Sequence, residues 1–488
     1  MRITVVCHYL GLLLVILSCF MLFPLIWSLV AQEPSSVAFA ISVAITAATG
    51  LLTWRLTPVG EGRLNRREAI LLVAGGWLLA SLFGALPFVL DGTFSSYVDA
   101  LFEAVSGFTT TGATVLTAIE DQSQSILLWR SLTQWLGGMG IITLFVALFP
   151  ILGIGAAHLV EAEMPGPEAG RLTPRIRDTA KAVWLLYAVF SGLEFVALLI
   201  AGLSPFHALT VTFSTMPTGG FTGTNLSIAA FNSPLVEGIV IFFMITAGVN
   251  FGLFYFLLWK RQSGQLFRNP ELRVYLSLLV IASVLIAIDL IINLDLSAGD
   301  AFRQSSFQSV SIMTTTGFAT TDFNTWPMFS KSALLVLMMV GASAGSTGGA
   351  LKVVRLIVLV KYTYNQILRA FNPRAVIPLR LGKVILPDQI ISRVVGMVVL
   401  YFLTIFGAFM LMSIIGTNIE GWDLTTSLSS VLSSIGNVGP GLNLVGPAAN
   451  YEFIPPIGKG VLMACMLVGR LELFTFLMLF APSFWKWR

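Results

Sequence analysis

The chain alternates long apolar segments with short loops, in an order that recurs four times. Each repeat has an apolar run, a short semi-polar segment, a loop rich in threonine and glycine, and a second apolar run. A helix that crosses the hydrocarbon layer needs about 20 apolar residues, so the long runs predict membrane-spanning helices. The short segments predict helices that enter the membrane and turn back. Recurrence at a regular spacing indicates an internally repeated architecture.

Two further apolar runs, 5–30 and 37–56, precede the repeats and predict two additional spanning helices, of which the first is expected to be an uncleaved anchor rather than a signal peptide. The predicted first spans are 69–90, 180–203, 274–294 and 391–415, the short helices are 95–107, 206–216, 301–313 and 424–435, and the return spans are 126–154, 235–259, 333–359 and 457–479. The expected total is ten spanning helices and four re-entrant ones. The predicted divisions are an N-terminal two-helix domain, 1–62, and four repeat units, 63–165, 166–265, 266–375 and 376–488.

Composition supports a location in the bilayer. Of the 488 residues, 56% are hydrophobic and only 11% are charged, whereas soluble domains have a charged fraction of about 25%. The cysteines Cys7, Cys19 and Cys465 lie in apolar runs without metal-ligand spacing, which predicts buried thiols rather than a disulfide framework. The predicted fold class is an all-α polytopic membrane protein.

Charged residues are distributed by side of the membrane. Basic residues concentrate in the loops between units, at 55–67, 171–181, 260–273 and 361–393. Because positive loops remain cytoplasmic, we expect both termini in the cytoplasm and the Thr/Gly loops to open to the outside. The acidic residues on that outer side are Glu120, Asp121, Asp300, Asp322, Glu420, Asp423 and Glu452. They indicate either an acidic vestibule that concentrates cations or an ordinary solvated surface.

The four Thr/Gly loops carry the candidate chemistry. They read TTGAT at 110–114, TGGFT at 218–222, TTGFA at 315–319 and SIGNVG at 434–439. Glycine adopts backbone conformations that other residues avoid, so such a loop can aim consecutive carbonyl oxygens at one point. Four loops around one axis would form a ring of oxygens that replaces the water shell of a potassium ion. A single copy would be interpreted as an ordinary turn, but the fourfold recurrence favours the ring.

These units, with the two extra N-terminal helices, resemble the Trk/Ktr/HKT superfamily of potassium transporters, and in particular its bacterial TrkH-type members. The resemblance covers essentially the whole chain and implies four units around a central pore. It implies filter glycines at Gly112, Gly219, Gly317 and Gly436, where glycine rather than serine accompanies a preference for potassium. The residues implied for the potassium filter are Thr110, Thr111, Gly112, Thr218, Gly219, Gly220, Thr315, Thr316, Gly317, Phe318, Ile435, Gly436 and Asn437.

The fourth loop departs from the other three, because Ile435 precedes its glycine where they have threonine. A hydroxyl that could stiffen the turn is therefore absent there, and strict fourfold symmetry is not expected. Ion coordination by the backbone survives this change, because every residue carries a carbonyl oxygen.

A run of small residues interrupts the return span of the third unit at 341–349. Each glycine costs a helix about 1 kcal/mol relative to alanine, so we expect this stretch to unwind. Close packing of helices through small residues is the alternative. The resemblance implies a movable plug below the filter, formed by Gly345, Ser346, Thr347, Gly348 and Gly349.

Arg470 lies inside the last predicted span. A central arginine costs at least about 2.5 kcal/mol to insert, and such residues usually face a cavity or a partner. One interpretation is a structural pair with Glu472, Glu194 or another intramembrane carboxylate. The resemblance implies instead that Arg470 repels cations below the filter and, together with the plug, closes the pore.

The resemblance further implies a homodimer in the bacterial cytoplasmic membrane and a TrkA-like cytosolic ring of nucleotide-binding subunits that acts on the plug. Potassium is then the transported ion, with no organic cofactor and no nucleic-acid partner. The alternative is a transporter that couples potassium to protons or sodium, with Glu103, Glu194, Asp289 or His207 as the titratable group. An enzyme is not expected, because the three histidines, His8, His158 and His207, fall in different units and no His/Glu or Cys/His motif appears.

Overall fold

The structure is a computed structural model that describes residues 1–57, 64–140, 176–259, 261, 263–374, 377–382, 384–471 and 473–485. Several expectations from the sequence fall outside these ranges. They concern residues 141–154 of the first return span, the basic residues Arg171 and Arg175, and Glu472 as a partner of Arg470.

Two long helices, Ile3–Val30 and Ser36–Leu56, form the predicted N-terminal pair. They pack closely because each presents a glycine to the other. A Cβ built on Gly50 would lie 2.8 Å from the carbonyl oxygen of Gly11. Small residues allow membrane helices to approach to this distance, so both glycines are needed for the pairing.

In the described ranges, six helices are long and apolar enough to cross a membrane. Two are the N-terminal pair, and the other four open the repeat units: Arg67–Leu90, Ala180–Ile200, Pro270–Leu294 and Asp388–Gly416. The first of these consists of the helices Arg66–Gly84 and Leu86–Leu90, and the second belongs to the helix Ile176–Ile200. Each lies within a few residues of a predicted first span. Side chains such as Val280, Ile292 and Phe406 are exposed on them, as expected for a surface toward lipid.

Four short helices follow these spans: Tyr97–Phe108, Pro205–Thr215, Ala298–Met313 and Leu424–Gly436. With 11 to 16 residues they are too short to cross the membrane, as predicted. Each begins at an N-cap whose side chain accepts a hydrogen bond from a first-turn N–H, and the caps are Ser96, Ser204, Ser297 and Asp423. Such a cap satisfies an N–H that the helix itself leaves unpaired. The same local signal therefore starts all four, which we call the pore helices.

The described part of each return segment holds one or two helices, and in the second, third and fourth units a break separates the two. They are Gln124–Gly138 in the first unit, Pro234–Ala247 with Phe251–Leu258 in the second, Met328–Val340 with Val353–Phe371 in the third, and Pro456–Arg470 with Leu473–Met478 in the fourth. The pair in the second unit is bent by 93°. Asn250 stabilises this break, because its side chain caps the second helix of the pair by accepting from the Gly252 N–H at 2.8 Å.

The return span expected at 235–259 is not one continuous helix. Among the described residues, six helices are long and apolar enough to cross a membrane, or seven when the bent pair is counted as one span. The interruption expected in the third unit is confirmed, because residues 341–352 are not helical.

The remaining elements are short. They are the 3-10 helices Ser227–Phe231, Phe323–Thr325 and Asn443–Val445, the helices Ser263–Arg268 and Pro482–Trp485, and an antiparallel pairing of Arg380–Leu381 with Val384–Ile385. The described chain is thus an all-α membrane fold of four repeated units with two extra N-terminal helices, as predicted. The pore helices end in its buried centre, where Phe108, Thr215 and Met313 are fully enclosed.

Candidate functional site

The chain leaves every pore helix along the same backbone path. A residue other than glycine first takes a left-handed φ, at Thr110 (55°), Thr218 (57°), Thr315 (63°) and Asn437 (55°). Two positions further on a glycine has a positive φ, at Gly112 (81°), Gly220 (81°), Gly317 (80°) and Gly439 (100°). Glycine adopts that conformation without steric cost. The four loops therefore share one path, with positive φ at alternate positions.

Backbone hydrogen bonds hold this path in place. The residue between the two positive-φ positions donates its N–H to a serine carbonyl oxygen of the pore helix: Thr111 to Ser106 at 2.8 Å, Gly219 to Ser214 at 2.8 Å, Thr316 to Ser311 at 2.8 Å and Val438 to Ser433 at 2.9 Å. This is the Schellman arrangement, in which a left-handed residue closes the last helical turn. It satisfies helix carbonyls that would otherwise lack a partner. The same bond in each unit identifies these four positions as structural equivalents.

The four loops meet edge to edge in a closed ring. A Cβ built on Gly112 would lie 2.1 Å from the Gly219 carbonyl oxygen, one on Gly220 2.0 Å from that of Thr316, one on Gly317 1.9 Å from that of Val438, and one on Gly439 2.7 Å from that of Thr111. Each glycine thus abuts a carbonyl oxygen of the next loop, and the fourth loop returns to the first. A side chain at any of these glycines would collide with the backbone, so the ring requires glycine four times.

We call Gly112, Gly220, Gly317 and Gly439, which have a positive φ and abut the next loop, the ring glycines. The family resemblance implies filter glycines at Gly219 and Gly436, but in the second and fourth loops the ring glycines are Gly220 and Gly439. Gly436 is the last residue of the fourth pore helix, because the left-handed turn comes one residue later, at Asn437. Asparagine tolerates left-handed backbone better than most side chains. Neither Thr218-Gly219 in the second loop nor Ile435-Gly436 in the fourth therefore marks the register of the ring.

The fourth loop replaces threonine by asparagine, not by isoleucine. Ile435 lies inside the pore helix and is fully buried, whereas Asn437 is the counterpart of Thr110. The Asn437 Nδ2 donates to Thr111 Oγ1 at 2.9 Å and to the Met466 carbonyl oxygen at 3.0 Å. A polar side chain is thus present at this position, and it ties the fourth loop to the first.

A cavity of about 180 Å³ lies against the ring. Its wall includes the four ring glycines, Gly112, Gly220, Gly317 and Gly439. Among the described residues that line it, Arg130 is the one charged residue and none is acidic. The acidic vestibule expected from the sequence is therefore not found at this cavity.

The acidic residues of the outer loops instead stabilise local structure. Asp423 caps the fourth pore helix by accepting from the Thr426 N–H at 2.7 Å. Partial burial raises the pKa of the Asp423 carboxyl, but the hydrogen bonds from Thr426, Asn443 and Thr425 together outweigh it and hold that pKa below its ordinary value. Glu120 accepts from the Asn225 backbone N–H at 2.6 Å. These carboxylates order the loops that surround the cavity.

Two side chains of the helix Gln124–Gly138 contact the loops, and the sequence patterns above did not identify them. Arg130 forms a buried ion pair with Glu103, with Nε 2.7 Å from Oε1. Gln134 makes two hydrogen bonds to the second loop. The signal that points to Arg130 is a charge within an apolar segment, whereas the amide of Gln134 has no comparable signal.

Residues 341–352, the intramembrane segment, lie against the ends of three pore helices. The Gly349 N–H donates to Thr315 Oγ1 at 2.8 Å, and Thr347 Oγ1 donates to the Met216 carbonyl oxygen at 3.0 Å. Gly349 also packs against the end of the fourth pore helix, where a Cβ built on it would lie 2.4 Å from the Gly436 carbonyl oxygen. Ser346 Oγ donates to the Ser343 carbonyl oxygen at 2.6 Å, and the Gly345 carbonyl oxygen accepts from the Phe251 N–H at 3.0 Å. Gly348 approaches the third pore helix, where a Cβ would lie 3.0 Å from the Thr314 carbonyl oxygen. Non-helical backbone in a membrane requires partners of this kind.

Glu271 holds both ends of the intramembrane segment. Its Oε1 accepts from the Ala344 N–H at 2.7 Å and from the Val354 N–H at 3.1 Å. Val354 lies in the first turn of the helix Val353–Phe371, so a single carboxylate joins the segment to the helix that follows it. Hydrogen bonds to a charged acceptor are among the stronger ones in proteins.

Arg470 joins three units through backbone carbonyls. Its Nη1 donates to the Thr347 carbonyl oxygen at 2.7 Å, and its Nη2 donates to those of Gly137 at 2.7 Å and Gly138 at 2.6 Å. The carboxylate of Glu194 is fully buried and makes no hydrogen bond to Arg470. The proposed pair with Glu194 is therefore wrong, and Arg470 instead donates to a carbonyl oxygen of the intramembrane segment.

The other titratable candidates lie away from the cavity wall that the structure describes. Glu103 is paired with Arg130, and Asp289 accepts from the Ser330 N–H at 3.1 Å. The ring of His207 packs edge-on against Phe231. Each of these three groups makes a contact within the protein, and none of them is among the described residues that line the cavity.

Phe318 is the one further residue assigned to the filter. Its side chain is fully buried, and its carbonyl oxygen accepts from Ser311 Oγ at 2.7 Å. The third loop is therefore bonded to its own pore helix just beyond the ring glycine.

This fold and site define a class of protein: a polytopic membrane protein in which four repeated units close a ring of loops around one axis. A family model named TrkH, described as a cation transport protein, matches residues 35–487. The Trk system potassium uptake protein TrkH of Halomonas elongata is 38% identical over 489 residues, covering 100% of both chains. The protein of the same name from Escherichia coli K12 is 37% identical over 482 residues, covering 98% of each.

The crystal structure of the potassium transporter TrkH from Vibrio parahaemolyticus matches this fold with a TM-score of 0.89 at 33% identity, covering 100% of both chains. The chain belongs to the TrkH family of cation transport proteins. The family resemblance and the fourfold repeat predicted from the sequence are both confirmed.

Proposed function

We propose that this protein carries potassium into the cell through the ring of four loops. Its relatives are named potassium uptake proteins and match it over nearly the whole of both chains. The observation that carries the proposal is the closure of the ring, in which each glycine meets a carbonyl oxygen of the next loop. Carbonyl oxygens arranged around an axis can replace the hydration shell of potassium.

The proposed filter comprises the residues assigned from the sequence in the first three loops, and Asn437, Val438 and Gly439 in the fourth. Its oxygens include those of Thr111, Gly219, Thr316 and Val438, which abut the neighbouring glycines. Potassium is cargo here, and no resident cofactor or catalytic step is needed. This agrees with the names of the relatives, which are those of transporters rather than enzymes.

Gating is the second part of the proposal. The intramembrane segment touches three pore helices, and Arg470 bonds it to the first unit through Gly137 and Gly138. A guanidinium fixed close to the ring repels a potassium ion, and in a low-dielectric environment this repulsion is large. The arrangement supports a closed gate that opens when the segment withdraws from Arg470.

We also propose the partner subunits, the membrane location and the oligomeric state of the protein. A Trk system has more than one component by name, which supports a TrkA-like cytosolic ring of nucleotide-binding subunits that moves the segment. The basic loops support cytoplasmic termini in the bacterial inner membrane. A homodimer completes the assembly implied by the family.

The experiment is uptake of radioactive rubidium into liposomes that hold the full-length chain. We expect uptake that potassium suppresses more strongly than sodium does, and that continues when a protonophore removes the proton gradient. A requirement for the proton gradient would favour coupled transport. Equal suppression by sodium and potassium would contradict a potassium filter.

A further inference from the structure

The second loop of the ring is held by a side chain from a different unit. Gln134, on the helix Gln124–Gly138 of the first unit, donates from Nε2 to the Gly219 carbonyl oxygen at 2.7 Å. Its Oε1 accepts from the Phe221 N–H at 3.0 Å. The Gln134 amide therefore bonds the loop on both sides of the ring glycine Gly220, and it fixes the position of the Gly219 carbonyl oxygen.

This contact explains why the second loop has two consecutive glycines. A Cβ on Gly219 would lie 2.5 Å from the Gln134 Cδ. The equivalent positions of the other loops carry side chains, in Thr111, Thr316 and Val438. Gly219 therefore makes room for the amide, and the contact is specific to the second loop.

Arg130 continues the same contact surface one helical turn away. Its Nη1 donates to the Thr222 carbonyl oxygen at 3.1 Å, and its guanidinium lies 4.2 Å from the centre of the Phe221 ring. Its Nη2 donates to Thr114 Oγ1 at 3.2 Å. Residues four apart lie on one face of a helix, so Arg130 and Gln134 both reach the second loop.

Glu103 makes this buried cation possible. Arg130 and Glu103 have relative side-chain exposures of only 1% and 0%. A buried charge is tolerated when it is paired and fully hydrogen-bonded. Glu103 also accepts from Thr114 Oγ1 at 2.9 Å and from the Val115 N–H at 3.0 Å. The ion pair thus links the exit of the first loop to the exit of the second.

We infer that Arg130 and Gln134 are positioning residues that set the separation of the first and second loops and thereby the preference of the ring for potassium over sodium. This inference rests on the proposed function of the ring. A filter discriminates through the size of its cavity or the number and field of its oxygens, and displacement of one loop alters both. Gln134→Met removes both amide bonds at nearly constant volume.

The test measures rubidium uptake by the full-length protein in liposomes, with sodium and potassium as competitors. We expect Gln134→Met to reduce the ratio of potassium to sodium affinity about tenfold, because two hydrogen bonds to the loop are lost. Arg130→Lys keeps a cation beside Glu103 but cannot form the fork to Thr222 and Thr114, and we expect the same direction of change. It serves as the second test if Gln134→Met does not fold.

The matched control is Arg303→Met. It breaks the ion pair with Glu237, where Nε lies 2.6 Å from Oε2, in a place that touches no ring residue. We expect an unchanged ion preference, even if stability falls.

The outcomes separate this inference from the proposed function. If the unmodified protein does not prefer potassium, the ring is not a filter and the proposed function fails first. If the unmodified protein prefers potassium and Gly220→Ala abolishes uptake, but Gln134→Met and Arg130→Lys keep the original preference, the inference alone is wrong.

Discussion

At the scale of single residues, the ring depends on backbone conformations that are costly outside it. Thr110, Thr218 and Thr315 are β-branched and take a left-handed φ, which costs on the order of 1–3 kcal/mol each. Such strain persists only where the surroundings enforce it, and here the Schellman bonds and the neighbouring loops do so. Strain of this kind is typical of functional sites, which supports the ring as the working part of the molecule.

The first prediction concerns a ring glycine. Gly220→Ala would place a Cβ 2.0 Å from the Thr316 carbonyl oxygen and force alanine to a φ of 81°. We expect rubidium uptake to fall to background. Gly238→Ala is the matched control, because nothing lies within 4 Å of that position and it is inside a helix. The control should keep full uptake, and equal behaviour of the two variants would contradict the role of the ring.

The second prediction concerns Arg470. Arg470→Ala removes the bonds to Thr347, Gly137 and Gly138 and the charge near the ring. Loss of two or more charged hydrogen bonds shifts a gating equilibrium by about 10-fold or more, so we expect faster rubidium uptake at an unchanged ratio of potassium to sodium affinity. Arg470→Lys keeps the charge and should give an intermediate rate. If the rate of rubidium uptake is unchanged in both variants, Arg470 does not close the pore.

At the scale of elements, two of the return segments are interrupted at places that contact each other. The return segments of the second and third units break at 248–250 and 341–352, and these breaks contact each other: the Ser343 N–H donates to the Gly248 carbonyl oxygen at 3.1 Å. The backbone groups that the breaks release are satisfied by neighbouring elements. An element held by a few exchangeable bonds can adopt a second arrangement more readily than a continuous helix.

The third prediction concerns the attachment of the intramembrane segment. Glu271→Ala removes the acceptor of the Ala344 and Val354 N–H groups. We expect faster rubidium uptake and faster hydrogen exchange in 341–352, because the segment is released at both ends. The control is Asp289→Ala, which removes a carboxylate that accepts from the Ser330 N–H in the same unit but does not touch the segment. If both variants exchange at the same rate as the unmodified protein, Glu271 does not hold the segment.

At the scale of the whole molecule, closure of the ring joins the two ends of the repeated part of the chain. The Tyr451 N–H donates to the Thr114 carbonyl oxygen at 2.8 Å, and the Tyr451 hydroxyl donates to that of Gly439 at 2.8 Å. The bond to Thr114 and the bond from Asn437 to Thr111 connect the fourth unit to the first, and the bond to Gly439 holds Tyr451 against the fourth loop. A single chain thus obtains the closed ring that separate subunits would otherwise form by symmetry.

The fourth prediction tests that closure. Tyr451→Phe removes one buried hydroxyl and leaves the Gly439 carbonyl oxygen without that donor. We expect a loss of about 1 kcal/mol in stability, measured as a lower thermal midpoint of the purified protein, together with weaker discrimination against sodium. Tyr97→Phe is the control, because the Tyr97 hydroxyl bonds the Leu82 carbonyl oxygen on an exposed surface. Equal midpoints for both variants would show that the hydroxyl does not contribute to closure.

Much of the architecture could be predicted because it depends on local patterns. Apolar runs gave the first spans to within a few residues, and the short segments at 95–107 and 424–435 correspond to the pore helices Tyr97–Phe108 and Leu424–Gly436. The small residues at 341–349 predicted the break in the third return segment. Periodicity and helix propensity are properties of neighbouring residues, so one sequence is sufficient to reveal them.

By itself the sequence determined the membrane fold, the four repeats, the family and the presence of glycine in each loop. Only the tertiary structure decided that Gly220 and Gly439 close the ring, that Asn437 takes the place of threonine, and that Arg470 bonds carbonyl oxygens rather than Glu194. The physical reason is that a φ angle beside a ring, or a hydrogen bond between units, depends on atoms supplied by distant parts of the chain. Those atoms come together only when all four units are assembled.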